Sequence, residues 1–485
     1  MSDSAISLSS LSISGRDVST NWLKDVKPLD LDLLFNPRTV ALIGASKDIK
    51  KSGGDFLKRM LERGYKGTIY PINLRETEIL GVKTYPNVQS VPGQIDLAIF
   101  CIPVALVIKT MEECIAKGIK YVVVHTSGFN EVGNPVLEAE LVHLARRGGV
   151  RFVGPNCMGV FSNEARLSCM DAVPESNVEN EDVAFIGQSG TLCDSYISHG
   201  QERGLKINKA VSLGNEADLK FTDYLSYFAA DPRIKIISAY IEGVREGKKF
   251  LDLVQKINRR KPVLVWKAGR TSAGTRATLS HTGSIAGSHQ INEAAFRQAG
   301  IITANSLESL VDLTAGLYAP FLPKGRKVGI LVDTGGGAVA AADACESAGL
   351  EVARLSTKVQ EELRKGFQGK LPPFAGITNP VDLVSPKDED RINLYDFSLE
   401  LMAPEVDYFM ILSFHELSDP NFMALLEKAR DRLKKPIFMV PPIPIRKIEQ
   451  IKNYTRRGIP SFYNVDRAAL TIHRLIDYAR WLESR

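Results

Sequence analysis

Residues 39–63 read TVALIGASKDIKKSGGDFLKRMLER, and Gly64 follows. Thr39 to Ile43 carry no polar alternation, the pattern of a strand covered on both faces. Gly44-Ala45-Ser46 supplies the small residues of a tight turn, after which apolar residues recur at helical spacing until a glycine stops the helix. Strand, small-residue turn and helix in that order open a parallel, doubly wound sheet. The alternation continues, with strands expected at 68–72, 97–102, 121–125 and 152–153. Helices are expected at 54–63, 105–117 and 137–147, with Gly64, Gly118 and Gly148 at their far ends.

Outward from this Rossmann-like block, two more α/β blocks can be separated. In the second, strands at 183–186, 209–212, 234–241 and 263–266 alternate with helices at 191–203, 221–229 and 248–258. The segment 320–326, with two prolines and Gly325, marks a boundary. The third block has strands at 327–332, 408–412 and 436–440. Before the first block, residues 1–30 read as a disordered tail. They are rich in serine at the start and have no basic residue before Arg16, so neither a secretory signal nor a transit peptide is expected. The most apolar run, 97–108, is too short to span a bilayer and contains Pro103.

The bulk figures exclude several classes. A chain of 485 residues with 61 Lys+Arg against 56 Asp+Glu has a net charge of only +5, so charge gives no reason to expect nucleic acid as a partner. Six scattered cysteines form no C-x-x-C pair, which argues against a zinc ribbon and a dithiol site and fits a reducing cytoplasm. No metal site is expected.

The candidate sites lie where strands end. Gly44-Ala45-Ser46 exposes backbone N–H groups at a helix N-terminus, where a phosphate is favoured. The full G-x-G-x-x-G is missing, and the second strand ends in Pro71-Ile72-Asn73 with no acid for an adenosine ribose; both facts argue against NAD. Thr126-Ser127-Gly128-Phe129 and Gly154-Pro155-Asn156-Cys157 end two further strands of the same sheet, as ligand contacts or simply as tight turns. Cys157 reads as a small buried residue in preference to an acyl-accepting thiol. Ser189-Gly190-Thr191 is a second anion site or a plain turn. Ser280-His281-Thr282-Gly283 sets a histidine among small residues, with Lys267, Arg270 and Arg276 upstream. Its imidazole is either a nucleophile toward a phosphoryl group or a structural side chain. Glu242 closes a strand, either orienting an imidazole or sitting solvated. Gly335-Gly336-Gly337 and Asn379-Pro380-Val381-Asp382 are read as turns, with a subunit contact as the other option for the latter.

Taken together the pieces resemble the ADP-forming acyl-CoA synthetases, relatives of succinyl-CoA synthetase. The resemblance is carried by Ile43-Gly44-Ala45-Ser46, Ile69-Tyr70-Pro71-Ile72-Asn73, Ser127-Gly128-Phe129, Gly154-Pro155-Asn156-Cys157, Gln188-Ser189-Gly190, Ser212-Leu213-Gly214-Asn215 and Ala295-Phe296-Arg297-Gln298-Ala299-Gly300. It implies a Rossmann-like CoA-binding domain at 31–158 and two flavodoxin-like ligase domains at 159–320 and 326–485. His281 falls at the family's phosphorylated histidine and Glu242 at the carboxylate that steadies it. Gly44, Ala45, Ser46, Pro71, Asn73, Pro103, Ser127, Gly128 and Asn156 fall in CoA-contacting turns, and Ser189, Gly190 and Thr191 where phosphate is cradled. The family's ATP-grasp module is absent from this sequence. The resemblance therefore implies a separate β chain, in an α2β2 heterotetramer, that holds ADP or ATP with Mg2+. Coenzyme A, acyl-CoA and phosphate would be the ligands of this chain. A non-catalytic CoA-binding regulatory subunit is the alternative; a nicotinamide oxidoreductase and a lysine acetyltransferase are disfavoured. Leu74 departs from the family, standing where a proline is common.

Overall fold

The opening stretch folds as a buried strand, Thr39–Ile43 (β1), a turn, and the helix Ser52–Glu62. The computed structural model describes residues 28–175, 180–282, 289–384, 386–413, 419–441 and 448–484. The side chains of residues 279–282, 388 and 389 are outside the description. The expected tail at 1–30 lies outside it up to residue 27; Asp30 is held in place, its carbonyl accepting from Tyr121 Oη. The chain divides into two units, one spanning Val18–Ser198 and Lys206–Ala299, the other containing His199–Leu205 and Gly300–Arg485.

The first unit holds two sheets. Thr68–Ile72 (β2), Leu97–Phe100 (β5), Tyr121–Val124 (β6) and Arg151–Val153 (β7) join β1 in the order β2-β1-β5-β6-β7, every pair parallel. A small hairpin, Glu78–Ile79 (β3) and Val82–Lys83 (β4), stands apart. Pro71 is tolerated because β2 is an edge strand, where a missing N–H breaks no central ladder. Ala98, Phe100, Val122, Val124 and Phe152 bury one face against Met111, Cys114, Leu141 and Ala145 of the helices Val107–Lys117 and Pro135–Arg147. Phe56, Leu57 and Met60 of Ser52–Glu62 are buried as well. Gly64 and Gly118 take left-handed backbone after their helices, as expected. Gly148 does not; Gly149 does, with φ +71°, while Gly148 makes room for Ile115, 2.4 Å from where a Cβ would lie.

In the second sheet, Gly159–Ser162 (β8) and Leu167–Ser168 (β9) form a hairpin that pairs antiparallel with Ile207–Ser212 (β11). Val183–Gly187 (β10), Ile236–Ile241 (β12) and Val263–Lys267 (β13) complete the run β13-β12-β10-β11-β8-β9. The two sheets are locked together. Asp218, fully buried, accepts from Arg146 Nε (2.8 Å), Arg151 Nε (2.7 Å) and Phe152 N (3.0 Å). Phe35 stacks on Tyr227 at 5.5 Å, and Tyr227 Oη donates to Asp32 Oδ1.

The other unit contains Ile302–Ala304 (β14) and a parallel sheet of Lys327–Val332 (β15), Glu351–Val352 (β16), Tyr408–Leu412 (β18) and Ile437–Met439 (β19) in the order β16-β15-β18-β19. Val381–Asp382 (β17) pairs with the far end of β15. The stretch Gly300–Arg485 of this unit takes in residues ahead of the segment 320–326. The cause is helix Leu307–Gly316. Its Asp312, 2% exposed, lies between Arg203 and Arg467, and Gly316 packs against Leu475 and Thr471 of Val465–Glu483. Asn379 is more than a bare turn residue: it accepts from Ile330 N and donates to Val328 and Ala353 carbonyls, stitching β15 to the strand beside it.

Among the described residues no helix is long and apolar enough to cross a membrane, and no cluster of three or more potential metal ligands occurs.

Candidate functional site

Because the first sheet is wholly parallel, the residues singled out from its strand ends share one edge, and a chain of contacts runs along it. Asn73 Nδ2 donates to Ala45 O (2.8 Å), tying the end of β2 to the turn after β1. Asn73 Oδ1 accepts from Arg75 N and Glu76 N, so the oxygen and one N–H of the amide are engaged at the turn. Gly44, at φ +90°, leaves no room for a side chain: a Cβ would lie 2.3 Å from Cys101 O at the end of β5. Gly53 and Gly54 admit the Gly44 and Asp48 carbonyls just as closely, at 2.0 and 2.3 Å from their own Cβ positions, which draws the helix N-terminus onto the turn. Thr126 Oγ1 donates to Ile102 O (2.7 Å), and Asn156 N donates to Thr126 O (3.0 Å).

Exposure sorts the nine predicted residues of this edge. Ala45 and Pro71 are buried and serve as framework. Pro103, Ser127 and Asn156 are exposed, and Gly44, Ser46, Asn73 and Gly128 half-buried, so these carry the surface a ligand would meet. Asn156 has left-handed backbone at φ +57°. Leu74, the departure from the family pattern, is 85% exposed beside Asn73. Cys157 is buried, its thiol donating to Val124 O, and burial pushes its pKa up, which removes it as a nucleophile.

His125 was not among the predicted site residues, yet it bridges the same edge. Its Nδ1 is 2.7 Å from Cys157 O and its Nε2 3.2 Å from Ser52 Oγ, at the start of the first helix. Burial holds its pKa below the usual imidazole value.

The strand ends of the second sheet meet this edge. Gly214, at φ +57°, approaches so closely that a Cβ would lie 2.2 Å from Pro155 O and 2.4 Å from Asn156 O. Asn215 donates from Nδ2 to Glu131 and Glu138, and Arg245 donates to Asn215 O (3.0 Å). Burial works to raise the Glu131 carboxyl, but the hydrogen bonds from Asn215, Gly128 N and Phe129 N outweigh it and hold the group below its ordinary value.

Ser189 precedes the helix Gly190–Glu202; its Oγ accepts from Leu192 N (3.4 Å), a capping contact. Gly190 faces Met158, whose Cγ lies 2.3 Å from a built Cβ, and Thr191 is exposed. Glu242 follows β12 and is 6% exposed, which removes the solvated reading. Tyr240 Oη donates to its Oε1 (3.4 Å), and Lys267 Nζ donates to its carbonyl (2.7 Å) and to Ala268 O (2.6 Å). Lys267, the first of the basic residues upstream of His281, is therefore a buried brace. Gln188 is a second residue the sequence reading did not assign: its amide reaches Glu216, Glu242 and Gly243.

His281 falls in the helix Ser272–Thr282. Its side chain lies outside the described residues, as do residues 283–288.

Residues 38–163 match the model of a CoA binding domain, and residues 180–317 that of a succinyl-CoA ligase like flavodoxin domain. The alpha subunit of ADP-forming acetate–CoA ligase II of Pyrococcus furiosus is 36% identical over 461 residues, covering 93% of this chain and 98% of that one. ADP-forming acetate–CoA ligase I of Archaeoglobus fulgidus is 35% identical over 457 residues, and the chain spans 64% of its length. Among solved structures, acetyl-coenzyme A synthetase 1 of Candidatus Korarchaeum cryptofilum, in complex with phosphate and ADP, superposes with a TM-score of 0.80 at 34% identity, covering 94% of this chain and 98% of that one.

Proposed function

The chain belongs to the family of ADP-forming acetate–CoA ligase alpha subunits, and from that premise we propose that it carries the acyl-CoA and phosphohistidine half of the reaction. The CoA-binding domain at 31–158 would hold the thioester along the edge that runs from Gly44-Ala45-Ser46 through Pro71, Asn73, Pro103, Ser127 and Gly128 to Asn156. The ligase domain at 159–320 would hold phosphate at Ser189, Gly190 and Thr191, and the domain at 326–485 completes the chain.

Three steps follow. A phosphate oxygen attacks the thioester carbonyl carbon; the C–S bond breaks and CoA leaves as the thiol, taking the proton from phosphate. An imidazole nitrogen of His281 then attacks phosphorus; the P–O bond to the acyl group breaks and the carboxylic acid departs as its anion. Glu242 balances the charge gained by the ring. Finally the phosphoryl group passes from His281 to ADP. Each step gains from positioning and anion stabilisation more than from new covalent chemistry.

The observation that supports this reading is the close approach of two strand-end edges within one unit, Gly214 against Pro155 and Asn156. Family membership favours the enzyme over a CoA-sensing subunit. For the nucleotide step we propose a separate ATP-grasp β chain, which would bring ADP or ATP with Mg2+, assembled as α2β2. The naming of the P. furiosus relatives as alpha subunits supports a partner chain. We also place the protein in the cytoplasm, in keeping with six free cysteines.

The test is to incubate the chain with acetyl-CoA and radiolabelled phosphate. Label that is acid-labile, base-stable and absent from His281→Ala is the expected result. Undiminished label in that variant refutes the scheme.

A further inference from the structure

We propose that Gln188 is the positioning residue for the Glu242 carboxylate, and that the buried Glu216 sets the orientation of its amide. The inference rests on the reading of Glu242 as the partner of a phosphorylated His281.

The ladder between β10 and β12 ends with Gly187 opposite Tyr240, and Gln188 N still donates to Tyr240 O (3.2 Å). Beyond that point β12 is paired only on its other side, where Ile241 lies opposite Lys267 of β13, and on the β10 side the Gln188 side chain takes over. Its Oε1 accepts from Glu242 N (2.5 Å) and Gly243 N (3.1 Å); its Nε2 donates to Gly243 O (2.9 Å) and Glu216 Oε2 (3.1 Å). Two donors and two lone pairs are the full capacity of the group, and all four are in use. Turned over, the amide would set its NH2 against two N–H groups and its oxygen against a carbonyl and a carboxylate. Only one orientation satisfies the site.

Glu216 supplies the one full charge among these partners. It is 4% exposed, its other oxygen accepts from Phe221 N (2.8 Å), and its backbone is left-handed at φ +54°. A non-glycine residue in that conformation costs about 1–2 kcal/mol, and burying a carboxylate costs more unless it is hydrogen-bonded. Such strain persists where the surroundings over-determine it, as at functional sites. Residue 242 is thus pinned on both sides of its Cα, its N–H by Gln188 and its carbonyl by Lys267. Because Ser189 caps the next helix, the same residue pair couples the placement of the phosphate turn to that of the carboxylate.

Two variants of the full chain test this. Gln188→Met keeps length and removes the amide; Glu216→Gln keeps shape and removes the charge that selects the amide orientation. With acetyl-CoA and radiolabelled phosphate, Gln188→Met is expected to slow labelling about a hundredfold, the scale of a displacement of about 1 Å. CoA affinity by calorimetry is expected to stay as in the parent chain. Glu216→Gln is expected to slow labelling about tenfold, the effect of losing one charge-assisted hydrogen bond. Added to Glu242→Gln, the Gln188→Met change should cost nothing further, since both act on one group. Labelling at the parent rate in either single variant overturns the proposal. So does an undiminished further loss in the Glu242→Gln background, which would mark general loosening. If the parent chain takes no label, the phosphohistidine reading itself fails and this inference falls with it, a result distinct from a variant failing alone.

Discussion

Replacing Gly44 by alanine is the sharpest single perturbation of the proposed CoA edge. Two costs combine. The residue sits at φ +90°, where an L side chain costs about 1–2 kcal/mol. The new Cβ would also lie 2.3 Å from Cys101 O and 2.9 Å from Ile102 Cγ2. The oxygen belongs to backbone at the end of a central strand, so relief requires the turn after β1 to move away by about 1 Å, and overpacking of this kind costs about 1–3 kcal/mol. The expected loss of stability is therefore about 2–5 kcal/mol. The same movement withdraws the turn's N–H groups from a phosphate, and the loss of one or two such hydrogen bonds weakens CoA binding by about 10- to 100-fold. Gly190→Ala is the control: its Cβ also meets an atom at 2.3 Å, but that atom is the flexible Met158 Cγ, which can turn aside, and its φ is not positive. Urea unfolding gives the stability and calorimetry with CoA the affinity. A Gly44→Ala chain that unfolds at the parent midpoint and binds CoA as tightly would refute the reasoning.

Three further outcomes are expected. Asp218→Asn removes the charge shared by Arg146, Arg151 and the buried Phe152 N–H, and should cost about 2 kcal/mol or more in urea unfolding. His125 has its pKa lowered by burial, so the unfolded chain binds its proton more readily; that stability is complete above about pH 6.5 and drains away as pH falls through the unfolded value toward the folded one. Unfolding midpoints between pH 7.5 and 5 should show the decline, and His125→Gln should flatten it. In the C-terminal unit, Arg203 is 2% exposed, pairs with Asp312 and lies 4.6 Å from the Tyr463 ring centre. Because Arg467 still pairs with Asp312 in Arg203→Met, that change should cost less than the about 3–5 kcal/mol of a fully orphaned buried charge, whereas Asp312→Leu, which strips both guanidinium groups of their carboxylate, should cost more.

Much of the fold was legible because its strands are continuous apolar runs. The expected 39–43, 68–72, 327–332 and 408–412 coincide with strands in the structure. The strand expected to reach residue 102 stops at Phe100, ahead of Pro103. The hairpin Gly159–Ser162 and Leu167–Ser168 escaped notice, since strands of two to four residues carry no measurable period. Strand-end turns were found from their small residues, but their division of labour was not. Nothing in the letters Asn73 says that its amide bonds to Ala45, Arg75 and Glu76. Gln188 and Glu216 were missed for the same reason: their roles come from contacts 28 to 55 residues away in the chain, and local composition has no access to those. Resemblance brought Gly214 and Asn215 into view, and the structure supplies the physical cause in the contact with Pro155.

The shared acceptor at Asp218 bears on how such a protein can be cut and rejoined. Family models leave a gap between residues 163 and 180, inviting a break there. A break at that point strips two guanidinium groups and a buried amide of the one carboxylate they hold in common, and strands Phe35 without the aromatic ring it lies against. Modular rearrangement that respects these contacts keeps both sheets as a single inherited cassette and places its joints outside the pair.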